Sequence, residues 1–531
     1  GTWDSARGPS QGFVTLRLTA RWEGRVVGEA LARMVFLEDR LRDGWPRHLP
    51  FTDEFPVASW REPNAADLDG DGRQEVFLVD HGEPGGRAPR LRVFSADGRE
   101  VWSRELPAGA PEHDAPVAGD LDGDGRLEVV VDTGLAGAIS AFNHRGEPVG
   151  GWPVTPGGTH FGKLAGDLDG DGRAEVVALA SPPPDLVGNR ARTLVVIRGD
   201  GEVWRRWSLP GCEEEFGAPE QLPALANLDS DPMLEIVAPS GCSGVAAFDV
   251  EVETGAVWTA TLEGLVASSP VVADLEGDGT EEVVVGVVRR ESGPGGLYVL
   301  ERDGQRRRGW PVLVDESFHA SAALGDLDLD GRLEVVIPSW DAARLHVLSA
   351  DGFEMPGWPV TVNGSTRSIP VLGDVDGDQW PDVVLPSPGV WLVVVSSGDT
   401  ARAGGLRAWQ MDGRPIDFLP GMPGEGMVME TAGGGRWMRM PAPVLADLDG
   451  DGGLDVVAAS VQDGLQSLTS PLSSLKMRSS LYAWRLPGVP AGPSPWPAFH
   501  GGPGRTGRFP RVPPPNQPPV LEVIPSQTVG L

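Results

Sequence analysis

Lysine is almost missing from this 531-residue chain: Lys163 and Lys476 are the only two, and arginine carries the basic charge. Cysteine is as scarce, with Cys212 and Cys242 alone, so a disulfide-dense scaffold is excluded. No run of about 18 apolar residues occurs, and no segment reads as a membrane-spanning helix. A G-x-S-x-G elbow, an H-E-x-x-H pair, a phosphate loop and a dinucleotide glycine fingerprint are also lacking. Any catalytic site must therefore be assembled from scattered residues. Positive charge is short overall, with 44 Lys plus Arg against 76 Asp plus Glu and a net charge of −32. That balance argues against a sequence-independent hold on nucleic acid or insertion at an anionic membrane. What the chain has in excess is glycine (73) and proline (50), which reads as low complexity unless a period organises it.

A period exists. The nonamer D-x-D-x-D-G-x-x-[DE], followed by β-branched or aliphatic residues, recurs eight times with starts 53, 47, 60, 47, 52, 48 and 73 residues apart. Each copy is preceded by a short apolar stretch such as SSPVVAD, expected as an inner strand buried on both faces. A second strand follows, as in LEVVVD, and then a third that ends in an Asp-Gly hairpin signal, as in GLYVLERDG. A fourth is expected to carry Trp102, Trp152, Trp204, Trp258, Trp310, Trp358 or Trp496, several within G-W-P-V. Four antiparallel strands in each unit of about 50 residues predict an all-β fold, a β-propeller of eight blades with seven as the alternative. Two segments, GWPRHLP (44–50) and SPWPAFH (494–500), compete to close the ring.

The acidic loop has a chemistry. Three carboxylates at alternate positions, a carbonyl at position 7 and a carboxylate at position 9 can wrap oxygens around one hard cation. Six to eight oxygens in flexible geometry suit calcium, whereas magnesium demands a tight octahedron. The candidate ligands are Asp67, Asp69, Asp71, Arg73 and Glu75 in the first loop, then Asp120, Asp122, Asp124, Arg126 and Glu128, then Asp167, Asp169, Asp171, Arg173 and Glu175. The fourth loop is degenerate, with Asn227, Asp229, Asp231, Met233 and Glu235, and Pro232 in place of the glycine. Next come Asp274, Glu276, Asp278, Thr280 and Glu282, then Asp326, Asp328, Asp330, Arg332 and Glu334. The last two are Asp374, Asp376, Asp378, Trp380 and Asp382, and Asp447, Asp449, Asp451, Gly453 and Asp455. Position 7 contributes its backbone carbonyl, and up to eight Ca²⁺ are expected. These loops hold 31 of the 76 acids, so the remainder of the chain is close to neutral.

The units resemble the FG-GAP or VCBS repeats of integrin-α-type propellers, with DLDGDGRLEVV at 120–130 the most specific stretch and the likeness spanning about residues 43–510. The resemblance implies calcium between strands one and two on the lower face and ligands met on the upper face. Residues 1–42 are expected as the end of an Ig-like domain or linker strands, and 511–531 as a Pro-rich linker into a further Ig- or cadherin-like domain. The chain, starting at Gly1, reads as part of a longer secreted or surface protein, of the kind built by bacteria from several domains.

Seven residues before each first ligand lie Trp60, His113, His160, Glu220, Ala267, His319, Arg367 and Met440. These positions are expected around the upper mouth of the channel, where Trp60, His113, His160, Glu220, His319 and Arg367 form a candidate site for a protein or glycan ligand. Cys212 and Cys242 are expected on the same face, either as a disulfide in an oxidising compartment or as two thiols. Arg198, Gly199 and Asp200 spell RGD but read as a hairpin turn. The expected function is an extracellular, calcium-binding, non-catalytic interaction or adhesion module. The alternatives are an accessory region of a secreted subtilisin-like peptidase and a calcium-dependent polysaccharide lyase of the eight-bladed type.

Overall fold

A computed structural model describes residues 11–22, 25–38, 41–50, 62–80, 88–107, 115–133, 137–157, 159–181, 192–212, 221–229, 231–289, 294–362, 368–387, 393–394, 400–401, 404–416, 427–429, 441–461, 478–491, 494 and 496–509. Each acidic loop sits between a short inner strand and a longer second strand, as the repeat predicts. Blade 1 has Asn64–Ala66, Glu75–Asp80, Arg90–Phe94 and Glu100–Glu105 in antiparallel order. Blades 3 to 8 repeat that plan, with inner strands Thr159–Gly166, Ala224–Ala226, Val271–Ala273, Ala323–Gly325, Val371–Gly373 and Val444–Ala446. Blade 2 has three strands, beginning at Val117–Gly119, with single bridges to Pro148 and Val154 in the fourth position. Eight blades are thus present. The inner strands Asn64–Ala66 and Val117–Gly119 are buried at every residue, since each faces the neighbouring blade on both sides. The ends differ: Gln11–Trp22 and Arg25–Glu38 pair only with each other, and 510–531 lie outside the described residues.

Apolar side chains of adjacent blades form the core, and a repeated tryptophan fastens seven of the eight joints among the described residues. Trp102 Nε1 of blade 1 donates to His144 O of blade 2 (2.8 Å), and Trp152 Nε1 of blade 2 to Gly199 O of blade 3 (2.9 Å). Trp258 reaches Arg302 O (2.8 Å), Trp310 reaches Ala350 O (3.1 Å) and Trp358 reaches Met411 O (2.7 Å) in the blades that follow. Every acceptor lies in the hairpin between strands three and four. The Asp-Gly signal of that hairpin has a second purpose there. Gly304 has φ +80°, and a Cβ on it would meet the Trp258 ring at 2.6 Å, so only glycine both turns the chain and lets the indole lie down. The RGD tripeptide is one of these hairpins, with Gly199 as acceptor.

Trp204 lies in the fourth strand of blade 3 as expected but does not make the clasp, and Trp496 is corrected. In blade 3 it is Trp207 that donates, to Val252 O (3.3 Å), while Trp204 lies beneath the Arg198 guanidinium at 4.6 Å. The ladder slips between Val196 and Ile197, and Trp207 is the residue that pairs with Leu194 inside it. Trp496 belongs to no fourth strand; its counterpart is Trp45, which donates to Ala96 O of blade 1 (2.9 Å).

Trp45 also settles ring closure. Arg47–Pro50 pairs with Arg478–Pro490 as the outer strand of blade 8, so the N-terminal segment completes the last blade. Residues 496–509 instead wind round the inside of the ring, against the inner strands of successive blades. Leu372 N donates to Trp496 O (2.9 Å), Leu445 N to Pro497 O (2.8 Å), Ala118 N to Pro503 O (2.9 Å) and Ala165 N to Gly504 O (2.8 Å). Leu225 N and Val272 N reach Thr506 O and Gly507 O, both at 2.8 Å. Asn64 Nδ2 bonds Pro503 O (2.9 Å), and Arg505 forms a buried pair with Glu62 (3.0 Å). The channel is therefore filled by the chain's own backbone, which satisfies inner-strand amides that would otherwise need water.

Two expectations follow. Trp310→Phe removes the inter-blade hydrogen bond and should cost about 1 kcal/mol, whereas Trp310→Ala also opens a cavity and should cost about 3–5 kcal/mol; denaturant melts of both variants check the ratio. His500, fully buried between Arg505 O and Pro270 O (2.9 Å each), is pushed down to about 4 by burial, which outweighs its backbone bonds. At this residue the unfolded chain binds a proton that the folded one refuses, so the contribution of His500 to stability falls as pH drops from about 6.5 towards 4. Thermal melts across that range should show the advantage of wild type over His500→Gln shrinking with acidity.

Candidate metal centres

The eight loops are built by their own amides. In the first, Asp67 Oδ1 accepts from Gly70 N (2.8 Å) and Asp71 N (3.1 Å), and its Oδ2 accepts from Gly72 N (2.8 Å). Asp69 Oδ1 takes Asp71 N (3.2 Å) and Asp71 Oδ1 takes Arg73 N (2.8 Å). Gly70 and Gly72 adopt φ +77° and +86°, and the same two positions hold Gly123 and Gly125, then Gly170 and Gly172. Pro232 cannot take that conformation and has no amide to give. The fourth loop is accordingly held otherwise, by Asn227 Nδ2 on Asp231 O (2.7 Å).

The carboxylate at position 9 is the constant. One of its oxygens accepts the amide of position 2 in every loop: Leu68 to Glu75 (3.1 Å), Leu121 to Glu128 (2.8 Å), Leu168 to Glu175 (2.9 Å) and Leu228 to Glu235 (2.5 Å). Leu275 to Glu282 (3.0 Å), Leu327 to Glu334 (2.8 Å), Val375 to Asp382 (2.9 Å) and Leu448 to Asp455 (3.0 Å) complete the set. The second oxygen remains for another partner, and Asp382 Oδ1 is buried without any. Carboxylate oxygens converge within 4.8 Å of one another in Asp67, Asp69 and Asp71; in Asp120, Asp122 and Glu128; and in Asp167, Asp169 and Glu175. The same holds for Asp229, Asp231 and Glu235 and for Asp326, Asp328 and Glu334. Hard oxygens at this spacing fit a divalent cation.

Electrostatics point the same way. Burial, reinforced by the neighbouring aspartates and opposed by the amide bond, pushes Glu75, Glu128, Glu175 and Glu235 up to about 7. Glu282, Glu334 and Asp382 rise to about 8. Two loops hold an arginine among their acids. The Arg42 guanidinium grips both oxygens of Asp455 (2.5 Å each) and reaches Asp449. Arg307 contacts Glu276, Glu282 (3.3 Å) and Glu301 (3.7 Å). Neither arginine lies within a repeated motif, so the loop pattern alone did not disclose them.

Of the residues expected on the opposite face, Trp60, His113, Glu220, Arg367 and Met440 lie outside the described residues. His160 is in the inner strand of blade 3, opposite Ala180, and Ala267 is buried. His319 is half-buried with its ring 5.2 Å from that of Trp340, an aromatic partner the repeat alignment did not single out. Cys212 and Cys242 form a disulfide with a Cα separation of 4.7 Å, tying the end of blade 3 to a turn of blade 4. Among the described residues, no helix is long and apolar enough to cross a membrane.

The raised carboxylates give a signed expectation. Without a cation, the folded chain binds more protons than the unfolded one between about pH 4.5 and 7, so its stability falls as pH rises through that window. Loading a divalent cation at pH 6.5 should release protons, seen as a heat that varies with the ionisation enthalpy of the buffer, and the release should vanish by about pH 9. Buffer-independent heats at pH 6.5 would contradict it.

Comparison with known proteins agrees with this architecture. The chain is similar to the exotype rhamnogalacturonan lyase YesX, with 16% identity, 93% of this chain and 84% of that chain covered, and a TM-score of 0.51. A rhamnogalacturonan lyase of Bacillus licheniformis aligns at 18% identity over 90% and 81% of the two chains with a TM-score of 0.47. The V. cholerae biofilm matrix protein Bap1 aligns at 14% over 85% and 91% with a TM-score of 0.41. A search of curated proteins gives no match. These likenesses are of fold. The chain is an eight-bladed β-propeller, and its residues 67–131, which include the acidic loops of blades 1 and 2, match the FG-GAP-like repeat.

Proposed function

We propose that the protein is an extracellular, calcium-loaded propeller that binds a protein or glycan ligand on the face opposite its acidic loops and does not turn it over. The observation that carries this reading is the division of labour along the axis. The loops gather carboxylates at one end of the blades, while residues 496–509 fill the channel with backbone. A filled channel favours a ligand held on the surface over a substrate drawn into the ring. Calcium at millimolar extracellular levels suits loops of this kind, and the disulfide suits the same compartment.

A second reading is favoured by the likeness to YesX and by His319 beside Trp340: a lyase acting on an acidic, rhamnogalacturonan-type polysaccharide. In that reading, the loop carboxylates would hold calcium as a structural ion. His319 would be the described group able to take a proton at the upper mouth, with Trp340 offering a face for a sugar ring.

One experiment separates the two. The calcium-loaded protein is incubated with rhamnogalacturonan while ultraviolet absorbance of unsaturated product is followed, and its retention on the same immobilised polysaccharide and on a glycan array is measured with and without chelator. Retention that chelator abolishes, with no product, supports the binding module. Product formation that is lost in His319→Ala supports the lyase. A melting temperature unchanged by chelator would remove calcium from both.

A further inference from the structure

Six of the position-9 carboxylates, Glu75, Glu128, Glu175, Glu235, Glu334 and Asp382, pair with no basic side chain among the described residues; the other two do. Asp455 of blade 8 is held by Arg42, and Glu282 of blade 5 by Arg307. We propose that these two arginines replace the divalent cation in their loops, so that the propeller loads metal on its other blades and fastens blades 5 and 8 with guanidinium.

The geometry is that of substitution, not of a surface ion pair. Asp455 is fully buried and Arg42 nearly so. Arg42 presents one nitrogen to both oxygens of Asp455 and another to Asp449, the carboxylates at positions 9 and 3 that would otherwise converge on a metal. Arg485 adds a second guanidinium on the outer side, against Asp451 and, at 3.8 Å, Asp449. In blade 5, Arg307 spans positions 3 and 9, Glu276 and Glu282, with Glu301 beyond. Position 3 there is glutamate where six other loops have aspartate at that place and the fourth has Asp229 as well; the longer arm reaches a side-chain cation. A planar fork of five N–H donors matches paired carboxylates and cannot lose its charge. A divalent ion entering either loop would have to expel a buried arginine and leave it unpaired, a costly exchange.

Arg42 has a further consequence because of where it sits. Its amide donates to Ala483 O (2.9 Å), and Leu41 bridges Trp484, so it belongs to the N-terminal segment that completes blade 8. The acidic loop of that blade thus becomes the receptacle for a residue more than 400 positions away in sequence. Ring closure is fastened by an internal cation and is independent of the metal supply.

The inference rests on the calcium reading for the remaining loops, and the test keeps the two apart. Bound calcium is counted by atomic emission after equilibrium dialysis of wild type, Arg42→Gln, Arg307→Gln and the double variant. Each single variant should hold one more calcium than wild type and the double variant two more. In Arg42→Gln the melting temperature should also become more calcium-dependent than in wild type, since the freed loop now takes the ion. Equal counts in all four proteins, or eight ions in wild type, would overturn the substitution while leaving calcium binding intact. No ion in wild type would overturn the calcium reading itself. Should the double variant fail to fold, the wild-type count and the two single variants decide the matter.

Discussion

Everything in this molecule hangs on a carboxylate at the ninth position of a loop, half satisfied by an amide and half left over. The amide of position 2 holds one oxygen and thereby fixes the hairpin that joins the inner strand to the second strand. The other oxygen, buried and surrounded by aspartates, needs positive charge. Burial, reinforced by the neighbouring aspartates, raises these acids towards neutrality, so positive charge is called for in the folded loop. A divalent ion or a guanidinium supplies it, and the chain contains residues arranged for both.

The loops also communicate around the ring. At several joints position 8 of one loop donates its amide to position 2 of the loop before it, as Leu127 does to Leu68 O (3.1 Å), Leu234 to Leu168 O (2.8 Å) and Leu333 to Leu275 O (2.8 Å); in blade 3 Ala174 reaches Asp120 O instead (2.6 Å), and in blade 7 position 8 is Pro381, which has no amide to give. Gln74 of blade 1 does the same to Leu448 O of blade 8 (3.0 Å), across the closure. Position 2 is the residue whose own amide holds the ninth carboxylate. One residue therefore ties the metal loop to its neighbour, while the tryptophan clasps tie the outer edges. Blades 1 and 2, 3 and 4, 5 and 6, and 8 and 1 are thus fixed to each other at two radii, by backbone near the loops and by indole near the rim.

How much of this was legible depends on whether the information is local. Eight blades, the loop positions and the inner strands follow from the period, because each unit repeats the same chemistry within about 50 residues. Ring closure was not decided, because GWPRHLP and SPWPAFH share a Trp-Pro signature. The difference lies in what comes next. Beyond SPWPAFH the chain reads GGPGRTGR, and one of those glycines is needed where backbone meets backbone: a Cβ on Gly504 would lie 2.3 Å from Ala165 O. That Trp207 makes the clasp of blade 3, with Trp204 also in the strand, follows from a slip in the ladder that does not show in sequence. Arg42 and Arg307 were invisible for a different reason: each sits outside the nonamer, and only the folded ring brings Arg42 to Asp455.

The pairing of Arg47–Pro50 with Arg478–Pro490 imposes an order of events on a chain made from its N-terminus. The first strand of the propeller exists before its partner and must wait through the synthesis of seven blades with its edge unpaired. Such non-local closure is slow and leaves a partly built ring exposed to association through that edge. The segment 496–509 comes later still and makes its hydrogen bonds to blades already in place. Within the propeller this stretch is a completion mark, and a chain truncated before it would leave the inner-strand amides of its blades without these partners.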